Sequence, residues 1–169
     1  QRATTLSIVE MAKKKIMIIY TGGTIGMQQD HSGSLSPVDF GNVMERVPEL
    51  KKLGCTIHHH AFGELIDSSN VTPEFWVKLA KTIEKHYDTH DAFIVLHGTD
   101  TMAYSASALS FMLENLGKPV IFTGSQLPMG EIRTDARRNL ITSVEIAAGD
   151  EMIPEVCIFF NSQLFRGNR

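Results

Sequence analysis

Four short runs of consecutive apolar residues constrain this chain more than anything else in it: Ile16 to Tyr20, Phe93 to Leu96, Val120 to Phe122 and Val156 to Phe160. Each is rich in β-branched or aromatic residues, and none alternates with polar ones. A strand with one wet face must alternate, whereas a strand covered on both faces need not. The runs therefore predict an α/β fold, with a mostly parallel sheet and helices on both faces. The helices are legible between them. Thr72-Pro73-Glu74 opens one, with a capping hydroxyl, a proline suited to the first turn and an acid at the positive end of the dipole. Phe75, Trp76, Leu79, Ala80 and Ile83 then recur at helical spacing. A second helix is expected from Met102 to Leu116, ended by Gly117 and Pro119. A third begins near Thr134 or Asp135 and closes at Gly149. From residue 70 the order reads helix, strand, helix, strand, helix, strand. The stretch before it is less regular: a polar loop at 28–37, a short helix at 38–53 and a strand at 55–60.

The chain's 169 residues suffice for one domain with a real core, and nothing in it marks a linker. Its formal net charge of −3 gives no electrostatic case for nucleic acid. No apolar stretch approaches a membrane span. The two cysteines, Cys55 and Cys157, are far apart without metal spacing, which favours a reduced, cytoplasmic protein. Met11 followed by Ala-Lys-Lys-Lys reads as a natural start, so residues 1–13 are an extension and 14–169 the domain.

In an open parallel sheet, ligands bind beyond the carboxyl ends of the strands. The exits here read Thr21-Gly22-Gly23-Thr24, His97-Gly98-Thr99-Asp100-Thr101, Thr123-Gly124-Ser125-Gln126 and Asn161-Ser162-Gln163. Hydroxyls and glycines at nearly every exit suggest one polar floor. Glycines at 22, 23 and 26 match neither the dinucleotide fingerprint nor a P-loop, and no lysine follows Gly26. TGGT is then either a plain turn or the seat of a hydroxyl nucleophile, which needs a base or charged neighbour to take its proton. Thr99 beside Asp100 places a hydroxyl and a carboxylate at one exit. Backbone N–H groups at Gly23–Thr24 and Gly98–Thr99 suit a developing oxyanion. Asp100 or Thr101 reads equally as the cap of the next helix. Asp67-Ser68-Ser69-Asn70 reads as a turn and cap, or as a pocket for a small zwitterion. His97 reads as a base or as a packed core histidine. In His58-His59-His60 only the first and third share a strand face, and no cysteine or carboxylate nearby completes a metal set. Arg137-Arg138 reads as a solvated helix face.

TGGTIG, DSSN, HGTDTMAYSASALSFMLENLGKPVI, FTGSQLP and LFRGNR stand in this order, and over residues 14–169 the chain resembles bacterial type I (cytoplasmic) L-asparaginases. The resemblance implies a Rossmann-like N-terminal asparaginase domain, with a smaller C-terminal domain absent from this chain, and a homo-oligomer (dimer or tetramer). It implies hydrolysis of L-asparagine to L-aspartate and ammonia through an acyl-enzyme, with no metal or organic cofactor. Thr24 matches the family's nucleophile. Thr99 matches the second catalytic threonine, which forms a proton relay with Asp100 and a lysine. Asp100 also matches the holder of the substrate's α-ammonium. Asp67, Ser68 and Ser69 match the segment that binds the α-amino and α-carboxylate groups, and Ser125 falls where the amide pocket is lined. Three departures stand out. The lysine is expected a few residues beyond Arg169, no tyrosine occupies the loop after TGGTIG, and Ala136 stands where glycine is usual. An amidotransferase-type subunit, an inactive fragment needing its missing part, and a small-molecule binding module are the competing readings.

Overall fold

The computed structural model describes residues 13–29, 35–37, 41 and 45–169. Strands β1 (Lys15–Tyr20), β4 (Thr56–Ala61), β5 (Ala92–Leu96), β6 (Val120–Thr123), β7 (Val156–Phe160) and β8 (Gln163–Arg166) form a six-stranded sheet in the order β4-β1-β5-β6-β7-β8. The pairings are parallel from β4 through β7, and only β8 runs antiparallel. Helices α1 (Pro73–His86), α2 (Met102–Met112) and α3 (Ala136–Ala148) connect them.

The continuous apolar runs are explained by two cores. On one face Ile16, Ile18, Tyr20, Ile94, Leu96 and Ile121 meet Leu140 and Val144 of α3, with Val47 and Leu50 alongside. On the other, Met17, Ile19, Phe93, Val95 and Phe122 meet Phe75, Leu79 and Ile83 of α1 and Ala106 and Leu109 of α2. Phe93, Ile94 and Val95 are 0% exposed. Side chains buried this completely are worth about 1.5–3 kcal/mol each.

Several expectations are corrected. The 28–37 stretch is not simply a loop: β2 (Met27–Gln29) and β3 (Leu35–Pro37) pair antiparallel. The expected 38–53 helix falls partly outside the described residues, and within it Pro48–Lys52 is a 3₁₀ turn. The second helix ends at Met112, four residues early, because the chain breaks at Leu113 and turns through Asn115 at φ 53°. Asn161-Ser162 is not an open exit. Both residues have positive φ, 48° and 62°, the geometry of a tight two-residue hairpin that folds β8 back onto β7. Arg137 is not merely solvated: its guanidinium donates to Glu49 Oε1 at 2.7 Å and to Arg46 O at 2.9 Å. The expected extension at residues 1–13 lies outside the described residues except for Lys13. Among the described residues no helix is long and apolar enough to cross a membrane.

Candidate active site

Numbered by chain position among themselves, the five parallel strands lie in the order 2-1-3-4-5. The order reverses between β1 and β5, and the crevice beyond such a reversal is where ligands bind in open α/β sheets. The loops leaving these two strands are TGGT and HGTDT.

The loops are in direct contact. Thr21 donates both its N–H, at 3.1 Å, and its hydroxyl, at 2.8 Å, to Leu96 O. Gly23 has φ 88°, and a Cβ there would lie 2.6 Å from Gly98 N. Only glycine permits that backbone at that separation. The segment after β4 closes over both: Ile66 N donates to Thr21 O at 2.9 Å. Ser68, buried, accepts from Asp100 N at 3.2 Å through its hydroxyl and from the Thr101 hydroxyl at 2.6 Å through its carbonyl. The segments that carry Thr24, Ser68, Thr99 and Asp100 are thus brought together.

Hydrogen bonding sorts the hydroxyls that the sequence left equal. Thr123 donates to Phe159 O at 2.8 Å, and Ser125 to Leu127 O at 2.7 Å. Both side chains are buried, as is Thr21. These groups tie backbone together, so the uniform polar floor narrows to fewer residues. Thr101 does not cap α2; its hydroxyl is turned to Ser68 instead. Asp67 does cap, its carboxylate accepting from Ser69 N at 2.9 Å and Ser69 Oγ at 2.8 Å. Those bonds, the backbone one first, hold its carboxyl below the usual range. Ser69 is exposed beside it. Thr24 and Thr99, half-buried, and Asp100, exposed, remain without a side-chain hydrogen bond to another described residue.

His97 is a core histidine rather than a base. Its Nδ1–H donates to Gly98 O at 2.7 Å, and Ser105 Oγ lies 2.9 Å from Nε2. Trp76 Nε1 donates to the same serine oxygen at 2.9 Å, which leaves the serine proton for the imidazole. Burial holds His97 below its ordinary pKa, consistent with the neutral ring this network needs. His58 and His60 do share a side, but they face histidines, not a ligand set: His58 Nδ1 lies 2.8 Å from His90 Nε2, and His60 packs near His86. Among the described residues no group of three histidines, cysteines or carboxylates could hold a metal ion. Cys157 is buried and its thiol is pushed up to about 11, mainly by that burial. A groove of about 520 Å³, lined by Val77, Tyr87, Met112 and Leu116 among others, lies at the C-terminal ends of α1 and α2, away from the loops.

Neither the β7–β8 hairpin nor the inward ties of Thr123 and Ser125 had a signal in the sequence. The Asp135 and Asn139 contacts to the β6 exit, described below, were also missed; an Asp–Asn pair four apart at a helix start was the available clue.

The chain is 51% identical over 167 residues to L-asparaginase 1 of Escherichia coli K12, matching 94% of this chain and 47% of that protein. It is 41% identical to the mouse 60 kDa lysophospholipase over 93% of this chain and 32% of that one. The crystal structure of L-asparaginase I from Vibrio cholerae superposes with a TM-score of 0.86 at 47% identity, over 94% of this chain and 48% of the other. The chain thus spans about half the length, or less, of the curated relatives it matches. With the asparaginase N-terminal family matching residues 15–169, and the two threonine loops meeting at the reversal point of the sheet, the chain belongs to that family.

Proposed function

We propose that the protein to which this chain belongs hydrolyses L-asparagine to L-aspartate and ammonia in the cytoplasm, as a homo-oligomer, dimer or tetramer. The observation that carries the reading is the sorting above. Once the structural hydroxyls are assigned, the side chains of Thr24, Thr99 and Asp100 are left at the strand reversal without a hydrogen bond to another described residue.

Thr24 is the nucleophile. Its oxygen bonds to the side-chain amide carbon of the substrate, and the carbonyl oxygen takes up negative charge. Backbone N–H groups at Gly23–Thr24 and Gly98–Thr99 stabilise that charge, being held in place before reaction. The threonine proton passes through Thr99 and its relay to the amide nitrogen, the C–N bond breaks, and ammonia leaves. Water then cleaves the resulting ester and restores the Thr24 hydroxyl. Splitting the hydrolysis into two acyl transfers lowers each barrier. Asp100 accepts the α-ammonium, and Asp67, Ser68 and Ser69 hold the α-amino and α-carboxylate end. The buried Ser125 hydroxyl is turned to Leu127 O, so its part in lining the amide pocket is to fix the backbone there. Residues 14–169 form the N-terminal domain, and a smaller C-terminal domain with a lysine beyond Arg169 completes the relay.

The test is ammonia release from L-asparagine and L-glutamine by the intact protein. Thr24→Ala and Thr99→Ala are expected to fold with an unchanged near-ultraviolet spectrum and to lose about 10³-fold or more in kcat. A folded wild-type protein that releases no ammonia from either amide overturns the reading. Release only with an acceptor partner present replaces it with the amidotransferase reading.

A further inference from the structure

Helix α3 begins in an unusual way. Asp135 occupies its N-cap position, yet its side chain makes no capping bond to the helix backbone. Thr134 does that work instead, its Oγ1 accepting from Ala136 N at 3.0 Å and donating to Leu127 O at 3.1 Å. The Asp135 carboxylate reaches back to the β6 exit. It accepts from Gln126 N at 3.1 Å on both oxygens and from Leu127 N at 3.2 Å on Oδ1. Asn139, one turn on and 0% exposed, donates to Gly124 O at 2.9 Å and to Asp135 Oδ2 at 3.2 Å.

Four backbone groups of one four-residue loop are thereby held from the start of α3: Gly124 O, Gln126 N, Leu127 N and Leu127 O. The loop in turn bears on the site. A Cβ at Gly124 would lie 2.4 Å from His97 O and 2.8 Å from Met102 Cε, so Gly124 is seated directly against the exit that carries Thr99 and Asp100. The arrangement is costly for the helix. A carboxylate at the N-cap position is turned away from the helix backbone, and Asn139 Oδ1 is buried without a partner among the described residues. Local rules broken together in this way point to a site's requirements rather than to stability.

We propose that Asp135 and Asn139 are positioning residues. They fix the Gly124–Leu127 loop and, through Gly124, the placement of the Gly98–Asp100 segment. The proposal rests on the asparaginase reading.

The test uses the intact protein and the variants Asp135→Ser and Asp135→Asn. Both new residues are good N-caps, so α3 keeps its start. Serine is too short to reach Gln126 and Leu127, while asparagine keeps one acceptor oxygen. Arg137→Ala is the control: it removes the Glu49 and Arg46 ties of the same helix and leaves the loop alone. Asp135→Ser is expected to lose about tenfold or more in kcat with KM moved less than about threefold, since small misplacements act on the transition state. Asp135→Asn falls between, and Arg137→Ala keeps the wild-type kcat. Amide hydrogen exchange at Gln126 and Leu127 quickens in Asp135→Ser while α3 stays protected. Equal kcat in Asp135→Ser and Arg137→Ala overturns the proposal, as does failure of both Asp135 variants to fold. If the wild type hydrolyses no amide, the functional reading fails, and exchange at Gln126 and Leu127 still decides whether Asp135 holds the loop.

Discussion

Gly98→Ala isolates the contact between the two halves of the site. A Cβ at Gly98 would lie 2.5 Å from Ser68 Oγ and 2.6 Å from Ser68 Cβ, and the next atom, Ser68 N, is 3.4 Å away. Ordinary carbon contacts need about 3.5–4.0 Å, so the serine side chain must retreat by about 1 Å. Overpacking of this kind costs about 1–3 kcal/mol. The retreat also drags the acceptors that hold Asp100 N and the Thr101 hydroxyl, so kcat should fall beyond what stability explains. Ser68→Gly removes both overlapping atoms. Alone it loses one hydrogen bond and adds backbone freedom, about 1–2 kcal/mol together. In the double variant the remaining contact is the tolerable 3.4 Å one, so Ser68→Gly should rescue Gly98→Ala. Urea denaturation of the four proteins should give a favourable coupling of about 1–2 kcal/mol. Additivity within about 0.5 kcal/mol would refute the reasoning, because the two residues would then not be meeting as described.

The Trp76–Ser105–His97 chain offers a cleaner optical readout, since Trp76 is the chain's one tryptophan. Ser105→Ala leaves Trp76 Nε1 and His97 Nε2 unpartnered, and a loss of about 1–3 kcal/mol with shifted tryptophan emission is expected; unchanged emission would contradict the bond. Gly23→Ala combines a glycine-only backbone with a Cβ 2.6 Å from Gly98 N, and here no side chain can retreat. About 2–4 kcal/mol should be lost by urea midpoint, with no rescue from Ser68→Gly. Burial, the first cause in each case, holds His86, His90 and His97 below the ordinary 6.5. The unfolded chain therefore binds those protons first, and stability that is level above about pH 7 should fall as pH drops through 6.5. Urea midpoints between pH 8 and pH 5.5 check this, and His97→Gln should make the fall shallower; a midpoint that rises on acidification contradicts the assignment.

The parallel sheet was legible because each apolar run lacks a polar beat, and two covered faces are the physical reason for that lack. Ile94 and Val95 show it directly: adjacent in sequence, they enter opposite cores. The β8 strand was not legible, because its signal is a turn rather than a run. Asn161-Ser162 adopts positive φ without a glycine, and Gln163–Arg166 is exposed throughout, so no burial pattern marks it. The site divides along the same line. Sequence placed Thr21, Thr24, Thr99, Thr123 and Ser125 together because all stand at strand exits. What each hydroxyl does depends on whether a neighbouring carbonyl lies within reach, and carbonyls carry no sequence label. Leu96 O takes the Thr21 hydroxyl and Phe159 O takes that of Thr123, each from the adjacent strand. Those bonds follow from register, which is a property of the assembled sheet. Thr24 escapes because Gly22 and Gly23 carry the chain out of register and into a 3₁₀ turn before it can pair. The glycines of the loop thus set Thr24 apart twice: by letting the loop seat against Gly98, and by lifting Thr24 off the ladder that engages its neighbours.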